Sequence, residues 1–140
     1  NLKNQAVALS EPANNSYVNS MSTTFKWQEL KNADSYLVQI TSPSSVMSTQ
    51  TSTSNSLNYS FSSQGTHTWK VLAQNATSIT QPSATYTITV DTTKPLMPTL
   101  VSPATATTTT LNPIPLVWNT NSVGIYDKTD FCRIQISTDS

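Results

Sequence analysis

The 140-residue sequence predicts an all-β fold, an antiparallel seven-stranded β-sandwich followed by an incomplete second sandwich. Three observations lead there. No segment carries the 3.6-residue apolar period of a helix, whereas period-two alternation recurs along the chain. The alternating runs follow one another at the short spacing of sandwich strands. The opening part of the pattern then returns 91 residues later, a period near the size of a whole sandwich.

The elements follow in order. An opening strand is expected near Ala6 to Leu9. Thr23 to Trp27 places Phe25 and Trp27 on one face, and Ser35 to Thr41 does the same with Tyr36, Val38 and Ile40. In the hydroxyl-rich region beyond, Val46-Met47 and Leu57-Asn58-Tyr59 are weaker strand candidates. Thr66 to Gln74 alternates Trp69, Val71 and Ala73 with polar or outward residues, and Thr85 to Val90 alternates Tyr86, Ile88 and Val90 with threonines. These eleven inward side chains, from Phe25 to Val90, are the expected core.

Pro95 and Pro98 favour an extended, semi-rigid connector that restricts the angle between neighbours. The expected domains are therefore residues 1–93, a complete sandwich, and residues 94–140, a linker and the N-terminal half (about three strands) of a second, truncated repeat. Pro12 and Trp27 return as Pro103 and Trp118, both offset by 91 residues. Tyr36 to Ile40 returns as Cys132 to Ile136, offset by 96, so a longer loop is expected between Asn119 and Phe131. The half-repeat leaves Leu116, Trp118, Ile134 and Ile136 without cover, which invites another chain. The natural protein is expected to continue past Ser140, and a dimer covering the half-domain is one expected partner arrangement.

Composition narrows the function. Seven basic and seven acidic residues give zero net charge, and charged residues make up 10% of the chain against about 25% in an average domain. A neutral chain lacks the field that draws nucleic acid or a membrane surface, so neither is an expected partner. Two glycines are too few for a phosphate-cradling loop. One cysteine, Cys132, precludes an internal disulfide. No apolar run approaches the length that spans a bilayer, so membrane insertion is not expected. Three Trp, five Tyr and three Phe in alternating runs argue for a folded chain with a threonine-rich surface.

The residues now assembled resemble the fibronectin type III and immunoglobulin-like β-sandwich repeats of bacterial extracellular proteins. Pro12 to Trp27 is similar to the opening strands, with Trp27 as the buried tryptophan. Ala33 to Ile40 looks like the third strand, and Gly65 to Asn75 looks like the turn feeding the sixth. Asp91 to Pro95 resembles an inter-repeat linker. The resemblance covers residues 6–93 well and 98–138 in part. It implies an extracellular or cell-surface location. The family often has a tyrosine at the turn into the sixth strand, where this chain has His67 and Thr68, so the corner hydrogen bond of that tyrosine is not expected here.

No catalytic or cofactor-binding constellation is present in the sequence, no metal site is expected, and the protein is not expected to be an enzyme. His67 stands alone, without the companion ligands that a metal needs. Cys132 aligns with Tyr36 and packs as a small hydrophobe rather than a nucleophile, which would need a base beside it. Asp127 and Asp130 share one loop but lack the ligand density of a calcium site. Trp27, Trp69 and Trp118 are core candidates. Tyr17 and Tyr126 fall in expected loops, where sandwiches carry their binding sites, and are the candidate ligand-binding residues. Asn14, Asn58 and Asn75 each open an Asn-x-Ser/Thr triplet. The expected function is a non-catalytic extracellular spacer and interaction module, its partners the neighbouring domains of the same chain and a polysaccharide or a surface protein. Two rivals stand beside it: a carbohydrate-binding module, marked by a row of exposed aromatics, and an adhesin domain that takes a protein partner along an edge strand.

Overall fold

In a computed structural model of the chain, residues 2–94, 96–119 and 133–136 are described. Two compact units emerge, Asn1–Thr92 and Thr93–Ser140. Every regular element among the described residues is a strand.

The first unit is two packed sheets. One carries β1 (Leu9–Glu11), β3 (Ser22–Trp27) and β6 (Ser56–Ser60), in that order. The other runs β2 (Ser16–Val18), β9 (Tyr86–Val90), β7 (Gly65–Asn75), β4 (Ser35–Thr41) and β5 (Met47–Ser52), with the two-residue β8 (Ser78–Ile79) on β7. Side chains on a strand alternate between faces, so one residue in two can be apolar and hidden. The observed burial has that period. Gly65, His67, Trp69, Val71 and Ala73 of β7 are buried, as are Tyr36, Val38 and Ile40 of β4. Ten of the eleven expected core residues are buried. The exception, Tyr86, is partly buried against the cluster, its ring edge-on to Trp69 at 5.9 Å. The aromatic centre is continuous: Phe25 lies 4.6 Å from Trp69, and Trp27 lies 5.3 Å from Tyr36.

Several elements differ from the sequence expectation. The opening strand is Leu9–Glu11 rather than residues 6–9, with Ala6 making only an isolated bridge to Gln81. Two short strands, β2 and β8, join the expected seven. β2 breaks the antiparallel rule, since it runs parallel to β9. The chain leaves the first sheet after β1, turns through Asn15 at φ 62°, and enters the edge of the second. Asn14 secures the crossing, its Oδ1 accepting from Thr87 N at 2.8 Å, while Asn15 N donates to Thr87 O.

Between β8 and β9, Pro82 has no N–H to give a ladder. Two buried hydroxyls fill in. Val71 N donates to Ser83 Oγ and Ala73 N to Thr80 Oγ1, both at 2.9 Å, while Ser83 N and Thr80 N return bonds to the same two residues. A buried backbone N–H left unpaired costs about 1–3 kcal/mol, which explains hydroxyls inside an apolar layer.

In the second unit, β10 (Thr99–Ser102) pairs antiparallel with β11 (Val117–Asn119). Its details match those of β1 and β3 at the 91-residue offset. Leu9 opposes Trp27, and Leu100 opposes Trp118. Glu11 opposes Lys26, and Ser102 opposes Val117, each pair reached through an irregularity in the register. Asn15 and Ala106, also 91 apart, both have left-handed φ, 62° and 60°. A third strand was expected over Cys132 to Ile136. Arg133 to Ile136 forms no strand, and Cys132 lies outside the described residues. In the first unit the equivalent strand, β4, is held between β5 and β7. Both follow it in the chain, and among the described residues, 133–136 pair with no strand.

Candidate functional site

The three tryptophans were the groups best suited to separate a spacer from a sugar-binding surface. Trp27 and Trp69 are each 1% exposed and belong to the core. Their Nε1 atoms are buried without a hydrogen-bond partner, so the indoles serve as apolar volume rather than as donors to a ligand. Trp118 is half-buried in the second unit.

Tyr17 is not in a loop as expected. It occupies the middle of β2, opposite Thr89 of β9, with its ring 69% exposed. The expectation failed because Ser16-Tyr17-Val18 is too short to display a period; the strand exists through its backbone pairing to β9. Tyr17 is the one exposed aromatic among the described residues. Tyr126, Asp127 and Asp130 lie outside the described residues.

His67 is 2% exposed and lies between the sheets. Its ring packs tilted against Phe61, with centroids 4.7 Å apart, and Nδ1–H donates to Gly65 O at 3.1 Å. Burial holds its pKa below the ordinary histidine value, and the hydrogen bond opposes that shift. Among the described residues, no group of three or more His, Cys, Asp and Glu side chains is placed to hold a metal ion.

Gly65, which opens β7, has φ 115°, a region that glycine enters without penalty. A tyrosine hydroxyl does tie a corner in this fold, though not at that turn. Tyr36 of β4 accepts from Leu30 N at 2.9 Å and fixes the β3–β4 connection.

The asparagines of the three triplets have structural roles. Asn14 Oδ1 accepts from Thr87 N, Asn58 Oδ1 accepts from Thr24 Oγ1 at 2.6 Å, and Asn75 Oδ1 caps the β7–β8 turn through Thr77 N and Ser78 N. Asn75 Nδ2 donates to Asn32 O at 2.9 Å.

The outer face of the larger sheet is hydroxyl-rich. Register places Thr41, Thr49, Thr51, Thr66, Thr68, Thr87 and Thr89 on it, with Leu37, Gln39 and Lys70 among them. Such a face is wet and nearly neutral, with no convergence of titratable groups of the kind that catalysis requires. The sequence marked β5 only by the weak candidate Val46-Met47 at its start, because Met47-Ser48-Thr49-Gln50-Thr51-Ser52 show little burial contrast and hence no alternation. In the second unit, Pro98, Leu100, Leu116, Trp118, Arg133 and Ile134 line an apolar hollow.

No known family's profile matches the chain, and no curated protein matches it. Solved structures do. The chain is similar to the crystal structure of chicken CNTN1 FN1-FN3 domains, with TM-score 0.50 and 17% identity over 63% of this chain and 34% of that one. It therefore spans about a third of the length of that structure. FN3tt mut (TM-score 0.44, 20% identity, 60% of this chain and 87% of that chain) and FN3tt (0.41, 18%, 63% and 89%) are also similar. At such identities the likeness concerns the fold, which is a fibronectin type III-like, immunoglobulin-like β-sandwich. Fold alone specifies neither a role nor a ligand. No helix among the described residues is long and apolar enough to cross a membrane.

Proposed function

We propose that the chain is a section of a tandem array of sandwich repeats that acts as a non-catalytic spacer and interaction module in an extracellular or cell-surface protein. The observation that carries the reading is the 91-residue offset, which appears in sequence and in strand register alike: Leu9 on Trp27 and Leu100 on Trp118. Tandem repetition of one domain produces length, and length is what a spacer contributes. The neutral, threonine-rich outer face fits a module that stays soluble without recruiting charged partners.

Single-molecule pulling of the 140-residue chain tests the spacer role. A closed first unit is expected to unfold in one event that lengthens the chain by about 300 Å, since each residue adds about 3.3–3.6 Å when extended. Gradual extension without such an event would remove the mechanical reading. The sugar-binding alternative rests on Tyr17. Calorimetric titration with polysaccharides is expected to show no heat that disappears in Tyr17→Ala; a Tyr17-dependent signal would replace the spacer reading with that one.

A further inference from the structure

Sheet edges carry unpaired backbone groups, and soluble proteins guard them with charge, proline, bulges or brevity. The first unit guards some of its edges in these ways. β1 bears the Glu11–Lys26 ion pair and ends at Pro12, and β2 is three residues long. β5 has none of these devices. It is the terminal strand of its sheet, six residues long, and pairs with β4 in unbroken register from Tyr36–Ser52 to Thr41–Met47. No Asp, Glu, Lys or Arg occurs between Ser35 and Trp69, and the one proline of that stretch, Pro43, precedes the strand.

The edge is also held in place. Ser42 Oγ accepts from Val46 N, Ser45 N donates to Ser42 O, and Ser45 turns at φ 63°. Ser42 N donates to Val46 O at 2.9 Å, and this bond sets the phase of the ladder. In an antiparallel pair, opposed residues alternate between exchanging and not exchanging backbone bonds. Counting on from Ser42–Val46, the residues of β5 bonded to β4 are Ser48, Gln50 and Ser52. The N–H and C=O groups of Met47, Thr49 and Thr51 are then directed to the open side.

From this we infer that β5 is a strand-addition site and that its occupant is β5 of a second copy of this chain. The strand is its own complement. With Thr49 opposite Thr49 across a two-fold axis, Met47 lies opposite Thr51 on both sides, and all the outward backbone groups of both strands are paired, in about six hydrogen bonds. Like charges facing each other are what normally forbid such a pairing, and here neither strand has any. The strand beneath, β4, presents Leu37, Gln39 and Thr41 on the outer face, and the nearest charge on that face, Lys70, is two strands away. The zero net charge of the chain adds no long-range repulsion. Two sheets would thereby become one continuous sheet across the dimer. This pairing is independent of the spacer reading.

Sedimentation velocity over a concentration series tests it on the whole chain. The native protein is expected to show a monomer–dimer equilibrium. Thr49→Lys and Thr49→Glu, both at an exposed position, should each weaken dimerisation about tenfold or more by opposing like charges, with circular dichroism unchanged. An equimolar mixture of the two variants should recover the dimer, because Lys then faces Glu. A native chain that stays monomeric throughout the series overturns the proposal, as does a dimer indifferent to Thr49→Lys. A dimer lost in Trp118→Ser but kept in Thr49→Lys overturns it in favour of association through the second unit's hollow.

Discussion

Trp27 and Trp118 stand at equivalent points of two strands, each opposite a leucine 18 residues earlier in the chain, and their surroundings are opposite. Trp27 is sealed between sheets against Tyr36. Trp118 is half-buried in an open hollow beside Leu100 and Leu116. The comparison extends around the hollow. Shifted by the same offsets, Pro98, Leu100, Leu116, Trp118 and Ile134 fall on Val7, Leu9, Phe25, Trp27 and Val38, all of which belong to the first unit's core or pack on it. Strand, partner and register are thus specified by a few dozen neighbouring residues. Burial is not. It depends on the facing sheet, which in the first unit comes from β4, β7 and β9. The same apolar pattern makes a core beneath that sheet and, among the described residues of the second unit, a half-open hollow.

The largest effect that would test this contrast is truncation of the two tryptophans. Trp27→Ala should destabilise the first unit by about 3–5 kcal/mol in urea denaturation followed by circular dichroism, since a fully buried aromatic is lost and a cavity remains. Trp118→Ala should leave that transition within about 0.5 kcal/mol, the range of a surface change. Equal losses from the two substitutions would mean that the hollow is not open and would break the comparison.

A smaller effect is expected from pH, and it belongs to the first unit because the only histidine is there. Burial lowers the pKa of His67 from 6.5. Between that value and the lower folded one, the unfolded chain binds more protons than the folded one, so stability rises with pH across the window. The contribution is fully present above about pH 6.5, the unfolded value, and is lost as pH falls toward the folded pKa. Denaturation midpoints measured from pH 7.5 downward should fall through this range, and the fall should be reduced in His67→Gln. A midpoint that rises on acidification would contradict the burial of a neutral imidazole.

The parts of the fold that were legible in the sequence are those where burial imposes a period. β3, β4, β7 and β9 each hide one face, so Phe25-Lys26-Trp27 or Tyr36-Leu37-Val38 reveals both the strand and its inward side. β5 hides neither face well, and a run such as Ser48-Thr49-Gln50-Thr51 has no period to read. β2 is fixed by a parallel pairing to residues more than seventy positions away, which no local pattern contains. Thr80, Ser83 and His67 were invisible as core residues because polar side chains read as surface. The available clue for the hydroxyls was Pro82 between them, a residue that cannot complete a ladder and so calls for other partners. For function the limit was similar. Trp27 and Trp69 could be assigned to the core from alternation alone, whereas Trp118, on the same pattern, is only half-buried, and Tyr17 could be assigned only by its position on β2.

The smallest expected effect concerns what sets the register that the two units share. In the first unit Glu11 and Lys26 oppose each other beside the irregularity and form an ion pair at 2.7 Å, with both side chains more than half exposed. At the same place the second unit has Ser102 opposite Val117, without charge, and the register is the same. The ion pair is therefore not what fixes the register. A double-mutant cycle with Glu11→Ser and Lys26→Val, which installs the second unit's residues in the first, should give a coupling of about 0.2–1 kcal/mol that shrinks in 1 M salt, as exposed pairs do. The doubly substituted chain should keep its β1–β3 pairing, read as cross-strand nuclear Overhauser contacts between Leu9 and Trp27. Loss of those contacts would show that charge, rather than the opposition of leucine and tryptophan, holds the opening strands in register, and the equivalence of the two units would then need another basis.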